Sequence, residues 1–143
     1  MNPDKFEEIF LNLRILVVDD VPIMRLFVVN TLKELGVKKI LEAEDGNAAL
    51  TLVEEGLMNN KKIDLIVSDI NMPNMDGIDL LQAIRKNNVK EIKSMPFLIV
   101  SASNETSKIL KASELGVTNY ILKPYSPANL KKKIREVFIS QND

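Results

Sequence analysis

Short apolar runs alternate with amphipathic stretches along this chain, and the alternation predicts five strands, each followed by a helix. The strand candidates are Arg14–Val18, Ile40–Ala43, Ile63–Asp69, Phe97–Ser101 and Asn119–Leu122. Helical patterns fall near Pro22–Leu35, Gly46–Leu57, Asp76–Lys86, Glu105–Leu115 and Pro127–Phe138. Such an order belongs to an α/β fold with a parallel sheet and helices on both faces. Pro22 suits an early helical position, and Gly36 and Gly116 stand just past the ends of two helices. Ahead of the first strand, Phe6, Ile9, Phe10 and Leu13 share one helical face after Asn2-Pro3-Asp4, a helix-start signature. This predicts a short amphipathic helix that packs on the domain's own surface, with docking to a partner as the alternative. The expected organisation is an extension over residues 1–12, one domain over 13–140 and a C-terminal tail over 141–143. No repeat, low-complexity tract or linker marks a second domain.

The polar residues that close these runs carry the chemistry. Asp69 ends Ile63-Asp64-Leu65-Ile66-Val67-Ser68-Asp69, the pair Asp19-Asp20 ends Leu16-Val17-Val18, and Lys123 follows Ile121-Leu122. Open α/β sheets bind ligands at the carboxyl ends of their strands, so three acids and a lysine are expected in one crevice. Adjacent carboxylates resist joint ionisation unless a cation sits between them. The chain has neither His nor Cys, so an all-oxygen ligand set selects Mg²⁺, or Mn²⁺, over zinc. Magnesium bridges carboxylates to phosphate oxygens, Lys123 offers a point charge, and the hydroxyl of Ser101 offers a donor. The set therefore reads as a site for phosphoryl transfer to Asp69, working by positioning and charge neutralisation. Singly, each element is ordinary, since acid pairs cap helices and Lys-Pro makes turns; their joint placement at strand ends carries the reading.

Composition narrows the setting. With 143 residues, 45% hydrophobic and 27% charged, the chain fits one globular domain. The absence of cysteine excludes disulfides, and the absence of histidine excludes an imidazole base or a phosphohistidine on this chain. No apolar run spans a bilayer and no leader pattern precedes the domain, so a soluble, cytoplasmic protein that does not enter a membrane is expected. The net charge of −1 conceals a division: residues 1–84 hold 8 Lys/Arg and 15 Asp/Glu, whereas residues 85–143 hold 11 and 5. A basic C-terminal half favours an acidic protein partner, with nucleic acid as the weaker alternative. Lys131-Lys132-Lys133 by itself reads as a solvated helix face.

Val17-Val18-Asp19-Asp20, Asp69 with Met72-Pro73-Asn74-Met75-Asp76-Gly77, Ser101-Ala102 and Tyr120-Ile121-Leu122-Lys123-Pro124-Tyr125 resemble the motif set of response-regulator receiver domains. The resemblance runs in order from about Leu13 to Phe138, and its detail is nearest the chemotaxis receivers, at Ile23-Met24-Arg25, Leu32-Lys33-Glu34-Leu35-Gly36 and Glu42-Ala43-Glu44-Asp45-Gly46. It implies a flavodoxin-like, doubly wound (βα)5 fold whose five-stranded parallel sheet has the order 2-1-3-4-5. It implies Asp69 as phosphoacceptor, Asp20 as a direct metal ligand, Asp19 as an acid reaching the metal through water, and Asn71 as a ligand through its backbone carbonyl. Ser101 and Tyr120 take the switch positions, Lys123 the lysine that contacts the phosphoryl group, and the Lys123–Pro124 bond is expected to be cis. The output face implied by the fourth helix, fifth strand and fifth helix holds Lys108, Lys111, Tyr120, Lys131, Lys132 and Arg135. Ser103 and Val21-Pro22 depart from the chemotaxis pattern beside the phosphoryl site, where phosphoryl lifetime and phosphatase recognition are set.

The expected function is a stand-alone response regulator, phosphorylated on Asp69 by a sensor histidine kinase with Mg²⁺ and acting through protein contact as a monomer. Chemotaxis is the expected setting, with the flagellar motor switch as effector and a phosphatase as a further partner. A phosphorelay or stress-signalling receiver that binds a kinase or another regulator is the second reading. A Mg²⁺-dependent aspartyl-phosphate phosphatase is the third, and it is disfavoured because Asn71 stands where such enzymes carry an acid able to transfer a proton. The chain is thus expected to be a phosphoacceptor and not a turnover enzyme.

Overall fold

Five parallel strands, β1 (Arg14–Val18), β2 (Lys39–Ala43), β3 (Leu65–Asp69), β4 (Phe97–Ser101) and β5 (Tyr120–Leu122), form one sheet in the order β2-β1-β3-β4-β5. The structure is a computed structural model, and it describes residues 2–102, 106–114 and 119–142. The three interior strands are the continuous apolar runs, buried on both faces as parallel strands must be, whereas β2 and β5 lie at the edges and are partly exposed. Ile63 and Asp64, expected within a strand, precede β3; there the Asp64 carboxylate accepts from the Arg14 amide at 2.8 Å and fixes the strand's entry.

The helices are α1 (Pro3–Leu11), α2 (Pro22–Glu34), α3 (Gly46–Met58), α4 (Gly77–Arg85), α5 (Lys90–Lys93), α6 (Thr106–Glu114) and α7 (Pro127–Asn142). One face of the sheet packs against α3, α4 and α5 through Ala49, Val53, Ile78, Leu81, Ile84 and Ile92. The other packs against α1, α2 and α7 through Phe6, Phe10, Val28, Leu32, Leu130 and Ile134. The short α5 escaped the sequence reading, because four residues cannot display a helical period. Its one buried side chain, Ile92, is fixed with the help of Arg85, whose guanidinium donates to the carbonyls of Lys93 and Met95 at 2.9 and 2.8 Å. The helix expected to stop near Phe138 runs on to Asn142. The expected start of α6 at Glu105, its end at Leu115-Gly116 and the departure at Ser103 lie outside the described residues.

The N-terminal helix begins at Asn2, whose side chain accepts from the Lys5 amide at 2.7 Å. It buries Phe6 and Phe10 in the core, and its Glu7 pairs with Lys131 of α7 at 2.6 Å. Gly36, at φ +100°, sits directly beneath Leu11, where an added Cβ would lie 2.6 Å from the leucine Cδ2. Glycine is favoured there by the left-handed backbone, and any side chain would also have to displace the end of Leu11.

Candidate phosphoryl-acceptor site

Parallel topology delivers the ends of β1, β3, β4 and β5 to one edge of the sheet. Asp69 is the last residue of β3, and Asp19 follows β1 with its amide bonded to the Ala43 carbonyl at 3.1 Å. Oxygens of Asp19, Asp20 and Asp69 lie within 4.8 Å of one another. Lys123, one residue past β5, donates from Nζ to Oδ1 of Asp69 at 3.2 Å. Its backbone amide bonds the Ser101 carbonyl at 2.8 Å, and the Lys123–Pro124 peptide is cis, as expected.

The crevice is held from behind. Asp19 is buried, and burial first, then the charges of Asp69 and Asp20, push its carboxyl above the usual range. The Val21 amide, donating to Asp19 Oδ1 at 3.0 Å, and the charge of Lys123 oppose that rise. Arg25 fixes the turn by donating to the Asp19 carbonyl at 2.7 Å while pairing with Glu42 at 3.0 Å. On the far side Gly77 passes so close to β3 that a Cβ would lie 2.4 Å from the Asp69 carbonyl oxygen. Its amide donates to the Ile70 carbonyl at 2.9 Å, and Asp76 and Asp79 form a capping box that starts α4 there.

A crowded carboxylate cluster with a partly desolvated acid fits a hard divalent cation, since a cation between them lowers the cost of ionising all three. Asp19, Asp20 and Asp69 could hold such an ion. Ser101 closes β4 fully buried, its hydroxyl donating to the Ala102 carbonyl at 3.0 Å. Asn71 is exposed on the loop after β3, where its side-chain oxygen accepts from the Lys108 ammonium.

The residues expected on the output face are divided. Tyr120 lies on the edge strand, 37% exposed, and Lys111 and Lys132 are exposed on α6 and α7. Lys108 instead turns to Asn71 and lines a cavity with Asp20 and Asp76. Lys131 and Arg135 turn to the N-terminal helix: Lys131 pairs with Glu7 and lies 5.1 Å from the Phe10 ring centre, and Arg135 lies 5.9 Å from that of Phe6. These contacts follow from α1, which covers that stretch of α7.

Two features were not anticipated. Beside Lys123 and Asp19 opens a largely apolar groove of about 520 Å³, lined by Ile23, Met24, Phe27, Pro124 and Tyr125 among others. Ile23, Leu26 and Phe27 on its α2 wall are 74%, 50% and 53% exposed. The sequence carried the signal, since α2 is apolar on more than the side needed to cover a sheet. The Tyr125 hydroxyl is buried without a hydrogen-bond partner among the described residues, and burial and the nearby Asp19 charge push it up to about 12. Its ring meets Phe27 edge-on with centroids 5.9 Å apart.

A five-stranded parallel sheet with an acid triad and a lysine at its carboxyl edge defines a receiver of the two-component type. Residues 15–135 match the response regulator receiver domain family, and the chain belongs to that family. It is 41% identical over 127 residues to chemotaxis protein CheY-3 of Vibrio cholerae, covering 89% of this chain and 92% of that one. It is 39% identical to chemotaxis protein CheY of Pseudomonas aeruginosa, covering 88% and 96%. The crystal structure of Vibrio cholerae CheY4 superposes with a TM-score of 0.76 at 29% identity, over 88% of this chain and 98% of that one.

Proposed function

We propose that this chain is a response regulator phosphorylated on Asp69 by a sensor histidine kinase, in a Mg²⁺-dependent reaction, and that it signals through protein contact in control of chemotaxis and the flagellar motor. The observation that carries this reading is the convergence of the Asp19, Asp20 and Asp69 oxygens within 4.8 Å, with the Lys123 ammonium on Asp69. The chemotaxis setting rests on the CheY relatives at about 40% identity. An oxygen of Asp69 attacks the phosphorus of a donor phosphohistidine, the P–N bond breaks, and the imidazole leaves with the electron pair and takes up a proton. Asp19, Asp20, Asp69 and the Asn71 carbonyl would hold the cation, which when bound would neutralise phosphoryl oxygens. Lys123 holds a further oxygen from the β5 side, and Ser101 and Tyr120 convey the change toward α6 and the edge strand. The protein is proposed to work as a cytoplasmic monomer and phosphoacceptor, with a phosphatase ending the signal.

A relay role, in which another regulator's helical domain docks beside Asp69, is the second reading. The exposed apolar wall of α2 next to Lys123 favours it. One experiment addresses both: transfer from a phosphorylated histidine kinase to wild type, Asp69→Asn and Phe27→Ser. Transfer should require Asp69 and Mg²⁺. Phe27→Ser should slow transfer from the kinase while leaving labelling by acetyl phosphate unchanged if the donor's helices cover α2. Labelling of Asp69→Asn as strong as wild type would refute the phosphoacceptor assignment.

A further inference from the structure

The Lys108 ammonium reaches from α6 to the side-chain oxygen of Asn71, a contact spanning 37 positions of sequence. The two residues share one cavity wall with Asp20, Met72, Pro73 and Asp76. Asn71 sits two residues after Asp69, and Asp20 is one of the clustered acids, so this cavity adjoins the acid crevice through Asp20. A cation from a helix outside the acid cluster thereby lines a cavity beside it, whereas Lys123 reaches Asp69 itself from the end of β5.

We infer that Lys108 is a positioning residue that retains the phosphoryl group: it holds Asn71 across the mouth of the crevice and keeps hydrolytic water from the phosphorus. This inference rests on Asp69 being the phosphoacceptor. Loss of the group requires a water oxygen to attack phosphorus, the bond from phosphorus to the Asp69 oxygen to break with its electron pair returning to the carboxylate, and the water proton to pass to solvent. A tethered side chain at the mouth obstructs that approach. Phosphorylation replaces the single charge of the Asp69 carboxylate with the about −1.5 to −2 of a phosphoryl group, near a lysine whose partner is a neutral amide, so the cation gains a stronger acceptor. The same charge repels a divalent cation at Asp20, so Lys108 also weakens metal binding before any phosphoryl group arrives.

The test compares wild type, Lys108→Ala, Lys108→Arg and, as an exposed control on the same helix, Glu114→Gln. Each is labelled with acetyl phosphate and Mg²⁺, transferred to donor-free buffer and followed by intact mass. Lys108→Ala should lose the phosphoryl group about threefold faster, the scale of a partly exposed charge. Lys108→Arg should restore the wild-type lifetime, and Glu114→Gln should match wild type. Calorimetric titration of the unphosphorylated proteins with Mg²⁺ should show Lys108→Ala binding about two- to threefold more tightly at low salt, with the difference shrinking at high salt. A merely structural lysine would move the melting temperature and neither of these. Equal lifetimes in proteins that all label on Asp69 would overturn the retention role. Failure of every protein to label would instead sink the phosphoacceptor reading and the retention role with it, and an unchanged Mg²⁺ affinity would then also remove Lys108 from the rim.

Discussion

Asp19 bears the electrostatic cost of assembling the crevice. Its folded pKa is raised, chiefly by burial, so the folded state holds a proton more tightly than the unfolded chain. Stability at this residue is therefore undiminished below the unfolded carboxylate range and falls as pH rises through the raised value. Asp19→Asn keeps an oxygen for the Val21 amide and removes the charge. In metal-free buffer it should raise stability at pH 7 by about 1 kcal/mol, a gain of roughly 3 °C, and that gain should vanish near pH 3. Thermal melts of both proteins across pH check this. With saturating Mg²⁺ the order should reverse, because only wild type binds the ion there with full strength.

Among the elements, the N-terminal helix is the one whose stake in stability is most direct. Phe10 is fully buried and Phe6 nearly so, and both belong to the core cluster that includes β1 and α7. Phe10→Ala should cost about 3–5 kcal/mol, read from denaturant midpoints, because the cavity it leaves lies between packed elements. A cost under 1 kcal/mol would show the helix to be a loosely held appendage. The apolar positions of this helix were legible in the sequence, as were all five strands, since continuous interior runs and helical periods write themselves into the order of residues. The partners of its charged face were not, because the pairing of Glu7 with Lys131 joins residues far apart in the chain. For the same reason, Lys108 reads in sequence as an ordinary helix-surface cation, and only the approach of α6 to the loop after β3 brings it to Asn71. Asp19, Asp20, Asp69 and Lys123 could be found because strand ends are marked by where apolar runs stop. The groove beside α2 left only a partial signal, a helix apolar on more than one side, because an apolar helix face does not say whether a neighbour covers it.

At the scale of the whole molecule, the doubly wound topology is what turns four separated segments into one site. The order β2-β1-β3-β4-β5 sets β1 beside β3, and β3 beside β4, with all carboxyl ends at the same edge. The acids therefore come from β1 and β3, the buried hydroxyl from β4 and the lysine from the end of β5, each held by its own strand. A charge placed on Asp69 meets the Lys123 ammonium after the edge strand, and the Lys108–Asn71 contact joins α6 to the loop after β3. The central claim is that this edge is a metal-dependent phosphoacceptor centred on Asp69. The measurement that tests it most directly is the intact mass of the protein after acetyl phosphate treatment, with Mg²⁺ or with a chelator, for wild type and Asp69→Asn. One added phosphoryl group is expected on wild type with Mg²⁺, and none with chelator or on the variant. A folded wild-type protein that gains no mass, or a variant that gains as much, would contradict it.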